Sequence, residues 1–285
     1  MLNFLKSLAS TYSATRAREA GAFYLRGQSD AHSYGKTPGK SNTQGYVPPA
    51  AQCLWRYTAE LARLIVLGDF HGPATGMSEA TLEGEKIHLW RGERHVLRGV
   101  SFRVTGGECL QLTGPNGSGK TSLLRTICGL SYPEAGAIHW RGKDVRRDLP
   151  AFHLEMAYLG HEPPLKMELT ARENLAYWIG VRRRMTRAEV DQTLERVGGE
   201  RWSDRPVHTL SAGQKRRVAL AGLLLMNVPL WLLDEPTTNL DVDGQRLVGT
   251  LLEEHLAGGG LAVTAVHHAL LMSERGLRPL ELGFA

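Results

Sequence analysis

Hydrophobic and polar positions are organised very differently in the two ends of the chain. From Gly27 to Ala51 there is no sustained period of 2 or 3.6, and Gly, Ser, Pro, Thr and Gln dominate, which predicts a loop or disordered tail. From about Thr81 the pattern tightens. Ile87 to Trp90, His95 to Val104 and Glu108 to Thr113 read as strands, the last running into Gly114. Leu123, Leu124, Ile127 and Leu130 then recur at helical spacing, predicting a helix over Lys120 to Leu130 packed on a sheet. The short apolar runs Leu230-Trp231-Leu232-Leu233 and Leu261 to Val266 have the character of parallel strands covered on both faces. A stretch from about Glu162 to Ser211 has helical composition and reads as a helical insertion. The expected class is α/β.

Composition narrows the functional classes. With 285 residues, 42% hydrophobic and 22% charged, the chain is neither fibrous nor wholly disordered. The formal net charge is +5, but residues 1–76 hold eight Lys/Arg against four Asp/Glu, leaving 26 against 25 for the remainder. The larger part is therefore nearly neutral, which argues against a dedicated nucleic-acid surface. Cys53, Cys109 and Cys128 form no CxxC pair, so a reducing compartment is expected rather than a disulfide framework or zinc site. No window reaches the roughly 18 apolar residues of a membrane span. The longest candidate, Leu54 to Phe70, is broken by Arg56, Glu60, Arg63 and Asp69, so work at a membrane would require a partner. Residues 1–76 read as a disordered or non-native extension. Lys6, Arg16, Arg18 and Arg26 among many Ser and Ala give a weak likeness to a transit peptide, but the preferred reading is an over-long gene boundary with translation starting at Met77.

Chemistry enters with Gly114-Pro115-Asn116-Gly117-Ser118-Gly119-Lys120-Thr121, a G-x-x-x-x-G-K-[ST] loop between a strand and a helix. Its glycines let backbone N–H groups turn toward phosphate oxygens at a positive helix end, Lys120 reaches the β/γ-phosphates, and the Thr121 hydroxyl can ligate Mg²⁺. The apolar run ending in Asp234-Glu235 puts two carboxylates where ligands gather in parallel sheets. Asp234 would hold Mg²⁺ through water, and Glu235 would orient or deprotonate an attacking water. Leu210-Ser211-Ala212-Gly213-Gln214, followed by Lys215-Arg216-Arg217 and a helix from Val218 to Met226, precedes Asp234.

Glycine loop, LSAGQ and Asp-Glu in this order resemble the ATP-binding cassette (ABC) ATPases over about residues 83–285. The resemblance implies a P-loop NTPase cassette: a RecA-like core, an antiparallel β edge and a helical subdomain at about 162–215. In that family the LSAGQ loop, through Ser211, Gly213 and Gln214, closes on ATP held by a second copy, so an ATP-sandwich dimer is implied. The pattern also gives Asn239-Leu240-Asp241 as the D-loop and His267 as the switch histidine on the γ-phosphate, with His268 one residue away. Two departures stand out. Where the family has a glutamine, the chain reads Leu159-Gly160-His161-Glu162, so the ligand there is His161, Glu162 or neither. The adenine-stacking aromatic falls near Arg91, with Trp90 beside it; Trp90 also reads as strand core, and a guanidinium can stack on a purine as well.

Tyr158 to Trp178 (YLGHEPPLKMELTARENLAYW), with LSAGQKRRVALAGLLL and LWLLDEP, resembles the ATP-binding subunit of the cytochrome c maturation, or haem exporter, complex of CcmA type. That resemblance implies ATP and Mg²⁺, a separate transmembrane permease, and a peripheral place on the cytoplasmic face of the inner membrane, or the mitochondrial equivalent. It implies no haem contact, and nothing in the residues looks built to ligate haem. A transporter ATPase for another substrate and a soluble ABC ATPase are the alternatives. A silent structural subunit is disfavoured because Lys120, Asp234, Glu235 and His267 are all present. Arg182-Arg183-Arg184 reads as a solvated helix face, Ala176 to Gly180 as helix core with a glycine stop, and Gly258-Gly259-Gly260 as a turn.

Overall fold

The computed structural model describes residues 80–180, 182–267 and 269–283. The extension 1–76 and the alternative switch residue His268 lie outside them.

The α/β expectation holds in a two-sheet form. Strands β1 (Thr81–Arg91) and β2 (Arg94–Thr105) make a hairpin through Gly92-Glu93, with Gly92 at φ 60 taking the left-handed turn position. With β4 (Ala135–Trp140) and β5 (Lys143–Asp144) they form an antiparallel sheet in the order β2-β1-β4-β5. A second, wholly parallel sheet has the order β6-β7-β8-β3-β9, from Met156–Leu159, Leu230–Asp234, Leu261–Ala265, Cys109–Thr113 and Leu277–Glu281.

Side-chain alternation explains why β7 reads as a continuous apolar run. Leu230 and Leu232 enter the core between the two sheets, while Trp231 and Leu233 enter the core under the helices. Leu110 and Leu112 of β3 and Leu261 and Val263 of β8 join the first pair, and Leu123, Leu124 and Ile127 of α1 (Lys120–Ile127) close that layer. On the opposite face lie α3 (Ala171–Gly180), α4 (Arg187–Arg196), α5 (Ala212–Met226) and α6 (Val242–Ala257); the short α2 spans Leu149–Leu154. A polypeptide buried on both faces in this way has no polar side to alternate with.

Three local expectations are corrected. Helix α1 stops at Ile127, because Gly129 takes φ 75 and the Leu130 N–H returns to the Arg125 carbonyl; Leu130 is consequently 59% exposed rather than part of the packed face. Helix α5 starts at Ala212, six residues before the expected Val218, because Ser211 and Gln214 form a reciprocal cap. Arg182 and Arg183 are not a solvated face. Arg182 donates to the His153 and Met156 carbonyls, and Arg183 donates to the Leu225 carbonyl at 3.1 and 3.2 Å and to Glu189 at 2.8 Å. Burial pulls the Arg182 guanidinium below its ordinary range. In α3, Ile179 is fully buried and Trp178 presses on α5 at Gly222, where a Cβ would stand 2.6 Å from the indole, while Tyr177 is exposed.

Candidate active site

Because the second sheet is parallel, the carboxyl ends of β3, β6, β7 and β8 face the same edge, and each delivers one piece of the site. From β3 comes the glycine loop. Gly114 takes φ 130 and Gly119 φ 104, and a Cβ at Gly114 would lie 2.1 Å from the Leu282 carbonyl oxygen, so only glycine passes here. Asn116 and Gly117 form the tip of the loop, and Gly117 also has positive φ. Lys120 is 7% exposed, and its Nζ donates to the carbonyls of Gly114 (2.7 Å) and Pro115 (3.1 Å). The buried Ser118 hydroxyl has no bonded partner among the described residues, and the N-terminus of α1 carries no side-chain cap and no acidic residue in its first turn. An uncapped, positively polarised helix end behind a glycine loop suits a polyphosphate.

From β7 come the carboxylates. Thr121 Oγ1 donates to Asp234 Oδ1 at 3.0 Å, joining the loop to the strand. Asp234 is 2% exposed; burial pushes its carboxyl up, the neighbouring Glu235 carboxylate adds to this, and the Thr121 bond opposes it. Glu235 follows at φ 49, a left-handed conformation that turns its side chain toward the sheet edge. Its Oε1 meets Nε2 of His267, just beyond β8, at 2.7 Å, and its Oε2 accepts from Thr238 Oγ1 at 3.1 Å. His161 Nδ1, just beyond β6, lies 3.6 Å from the same Oε2. Burial acts to raise the Glu235 carboxyl, but the bonds from Thr238 and His267 and the nearby imidazoles outweigh it and hold it below the ordinary range. Of the two residues left open at the glutamine position, His161 is the one that faces the carboxylates.

The LSAGQ segment stands apart from this cluster. Ser211 Oγ accepts from the Gln214 N–H at 3.2 Å and Gln214 Oε1 accepts from the Ser211 N–H at 3.0 Å, so the two cap α5 rather than bonding the glycine loop. Gly213 packs against the Asn239-Leu240-Asp241 segment, where a Cβ would come within 2.9 Å of the Asn239 carbonyl oxygen. Asp241 caps α6 through the Gly244 N–H (2.8 Å) and accepts from Arg217 (3.3 Å). The Gly244 bond first, and then Arg217, hold its carboxyl below the ordinary range. Trp90 is 45% exposed and stacks on His95 at 4.2 Å and 4°, which corrects its reading as strand core; Arg91 donates to Ser131 instead.

One residue of the site escapes sequence reasoning. Arg216, 2% exposed, donates five hydrogen bonds to main-chain carbonyls of Gly160, His161, Asp234, Glu235 and Pro236. Burial brings its guanidinium down to about 10, against the pull of the Asp234 and Glu235 carboxylates. The available signal is periodicity, since Arg216, Ala219, Leu220 and Leu223 share the buried face of α5.

A family profile described as ABC transporter matches residues 97–238. The cytochrome c biogenesis ATP-binding export protein CcmA of Methylococcus capsulatus is 49% identical over 195 residues, covering 68% of this chain and 94% of that protein. This chain belongs to the CcmA-type ABC ATP-binding proteins. The CcmA protein of Nitrosococcus oceani is 48% identical over 193 residues, 68% of this chain and 88% of its own length. Among solved structures, cbiO1 of Clostridium perfringens, part of the ABC transporter complex cbiONQ, matches with a TM-score of 0.59 and 27% identity, over 70% of this chain and 87% of that one. An ATP-binding subunit of an ABC transporter matches at 0.60 and 26%, over 69% and 87%. The CcmA-type chain described here is thus a nucleotide-binding cassette. Among the described residues, no helix is long and apolar enough to cross a membrane.

Proposed function

We propose that this chain is the ATP-hydrolysing subunit of an ABC transporter complex in cytochrome c biogenesis, working as two copies at the cytoplasmic face of a membrane beside a separate permease. The observation that carries this reading is the bonded series Thr121–Asp234 and Glu235–His267 at one sheet edge, in a chain 49% identical to a relative named for cytochrome c biogenesis. Residues 83–285 form the cassette on this reading, with about 162–215 as its helical subdomain.

Lys120 exchanges the carbonyls of Gly114 and Pro115 for phosphate oxygens, and the N–H groups at the start of α1 turn toward the same charge. The oxygen donors Thr121 and Asp234 suit a hard divalent cation. When bound, Mg²⁺ neutralises charge on the β- and γ-phosphates. Glu235 orients a water for in-line attack on the γ-phosphorus and takes its proton, while ADP leaves. His267 fixes the Glu235 carboxylate through Oε1 and would also contact the γ-phosphate. Ser211, Gly213 and Gln214 of a second copy complete the enclosure, beside the D-loop at Asp241. Trp90, flat against His95, offers adenine a face.

Haem staining of c-type cytochromes in a deletion strain tests the pathway. Covalent haem should be lost and should return with the wild-type gene but not with Glu235→Gln. Normal staining in the deletion strain would remove cytochrome c biogenesis from the reading.

A further inference from the structure

Arg216 lies on the helix that begins at the LSAGQ segment, yet among the described residues each of its hydrogen-bond partners belongs to the edge that carries Asp234, Glu235 and His161. Its Nη2 donates to the carbonyls of Asp234 (2.8 Å) and Glu235 (2.6 Å), its Nε to Pro236 (3.1 Å), and its Nη1 to Gly160 (2.8 Å) and His161 (3.2 Å). Three successive carbonyls can converge on one guanidinium only if the chain turns sharply between them. Glu235, at φ 49, is that turn. A non-glycine residue persists in this region when its surroundings over-determine it. Here the Glu235 N–H is held by the Ala265 carbonyl at 2.9 Å and its carbonyl also accepts from Thr238 N–H at 3.1 Å, while Arg216 bonds the carbonyls of the residues on both sides, Asp234 and Pro236, with one guanidinium.

We propose that Arg216 is a positioning residue for hydrolysis: it fixes the left-handed turn that aims Glu235, and it locks that turn to the His161 loop and to the LSAGQ helix. This rests on the reading of Glu235 as the group that activates water. One consequence is coupling between the two ATP sites of the dimer. Ser211 caps the same helix five residues before Arg216, so contact between Ser211 and the ATP of one site bears on Glu235 of the other through less than two turns of helix. No lysine can reproduce the arrangement, because three donors on one nitrogen cannot reach carbonyls spread along two chain segments.

The test is a double-variant cycle on the full chain, combining Arg216→Lys with Glu235→Gln. Arg216→Lys keeps the charge and the stem, and is chosen because Arg216→Met risks leaving buried carbonyls unpaired and the chain unfolded. Alone it should lower kcat by about 10- to 100-fold, the loss that goes with misplacing a reacting group by about 1 Å. The KM for ATP and the affinity for a fluorescent ATP analogue should stay within about threefold of wild type, since both are set at the glycine loop. Added to Glu235→Gln, the same substitution should lower residual turnover less than about twofold, because groups acting as a unit are not additive. The double variant should dimerise with MgATP to the same extent as Glu235→Gln.

An equal fold-loss in both backgrounds, or a fall in nucleotide affinity matching the fall in kcat, would overturn the positioning role and leave Arg216 a packing residue. Unchanged turnover in Arg216→Lys would overturn it too. Wild-type turnover in Glu235→Gln by itself would instead overturn the assignment of Glu235 on which the proposal stands.

Discussion

Replacing Glu235 by glutamine separates chemistry from folding more cleanly than any other single change. Glutamine keeps the shape of the side chain and one acceptor oxygen. Placed at Oε1, that oxygen still meets His267, where the present contact is 2.7 Å; the amide then points to Thr238, whose hydroxyl can accept as readily as it now donates at 3.1 Å. What is lost in the ground state is charge assistance on a partly exposed pair, at most about 1 kcal/mol, or roughly 2–4 °C in melting temperature for a domain of this size. The loss in the transition state is larger. Without a proton acceptor beside the attacking water, kcat should fall about 10²- to 10⁴-fold, equivalent to roughly 2.7–5.5 kcal/mol. Phosphate release gives kcat, displacement of a fluorescent ATP analogue gives affinity, and light scattering with MgATP shows whether slow hydrolysis traps a closed dimer. A kcat within tenfold of wild type, with affinity unchanged, would refute the role given to Glu235. A matched loss of turnover and affinity would mean that the substitution disturbs the whole edge.

Two further outcomes follow from geometry and charge. Gly114→Ala puts a methyl 2.1 Å from the Leu282 carbonyl oxygen in a backbone with φ 130, so the loop or β9 must move; ATP binding should be lost and the melting temperature should fall clearly more than for Gly92→Ala, where nothing lies within 4 Å and only about 1–2 kcal/mol of left-handed strain applies. Equal melting of the two variants would contradict this. Glu189 is held down to about 2 from an ordinary 4.5 by the Thr186 N–H first, then by Arg183 and the Thr186 hydroxyl. The folded chain therefore binds fewer protons than the unfolded one, so this contribution is whole above about pH 4.5 and is lost as pH falls toward 2. Thermal melts of wild type and Glu189→Gln should differ most at neutral pH and converge on acidification; a gap that widens toward acid would reverse the sign.

The glycine loop and β7 were legible because a local pattern determines each of them. A loop between strand and helix has to be glycine-rich to turn its N–H groups inward, and a strand covered on both faces has to be apolar throughout. The alternation of Leu230 and Leu232 against Trp231 and Leu233 was invisible as a pattern because both faces are buried in apolar cores. Long charged side chains were the main source of error. Arg182 and Arg183 read as solvated and Arg216 carried no assignment, yet each spends its guanidinium on main-chain carbonyls of a segment distant in sequence, which no local window contains. The start of α5 was missed for a related reason: the LSAGQ segment looked like a loop, whereas its serine and glutamine are also a helix cap. At Leu130 the helical spacing continued in the sequence after Gly129 had already ended the helix.

Helix α5 has one more consequence. Its 15 residues make a rod of about 22 Å, and neither end is left to fray: the Ser211–Gln214 pair ties off the first turn, and Arg183 clamps the Leu225 carbonyl in the last. A rod secured at both ends resists melting of its terminal turns, so a displacement imposed on one end would be passed along it rather than absorbed by fraying. Arg183 belongs to the segment that follows α3, so the far end of that rod is also where the helical layer is tied to α5. In mechanical terms the cassette carries a bar pinned at both ends, one end beside the sheet edge that gathers Asp234 and Glu235 and the other among its helices.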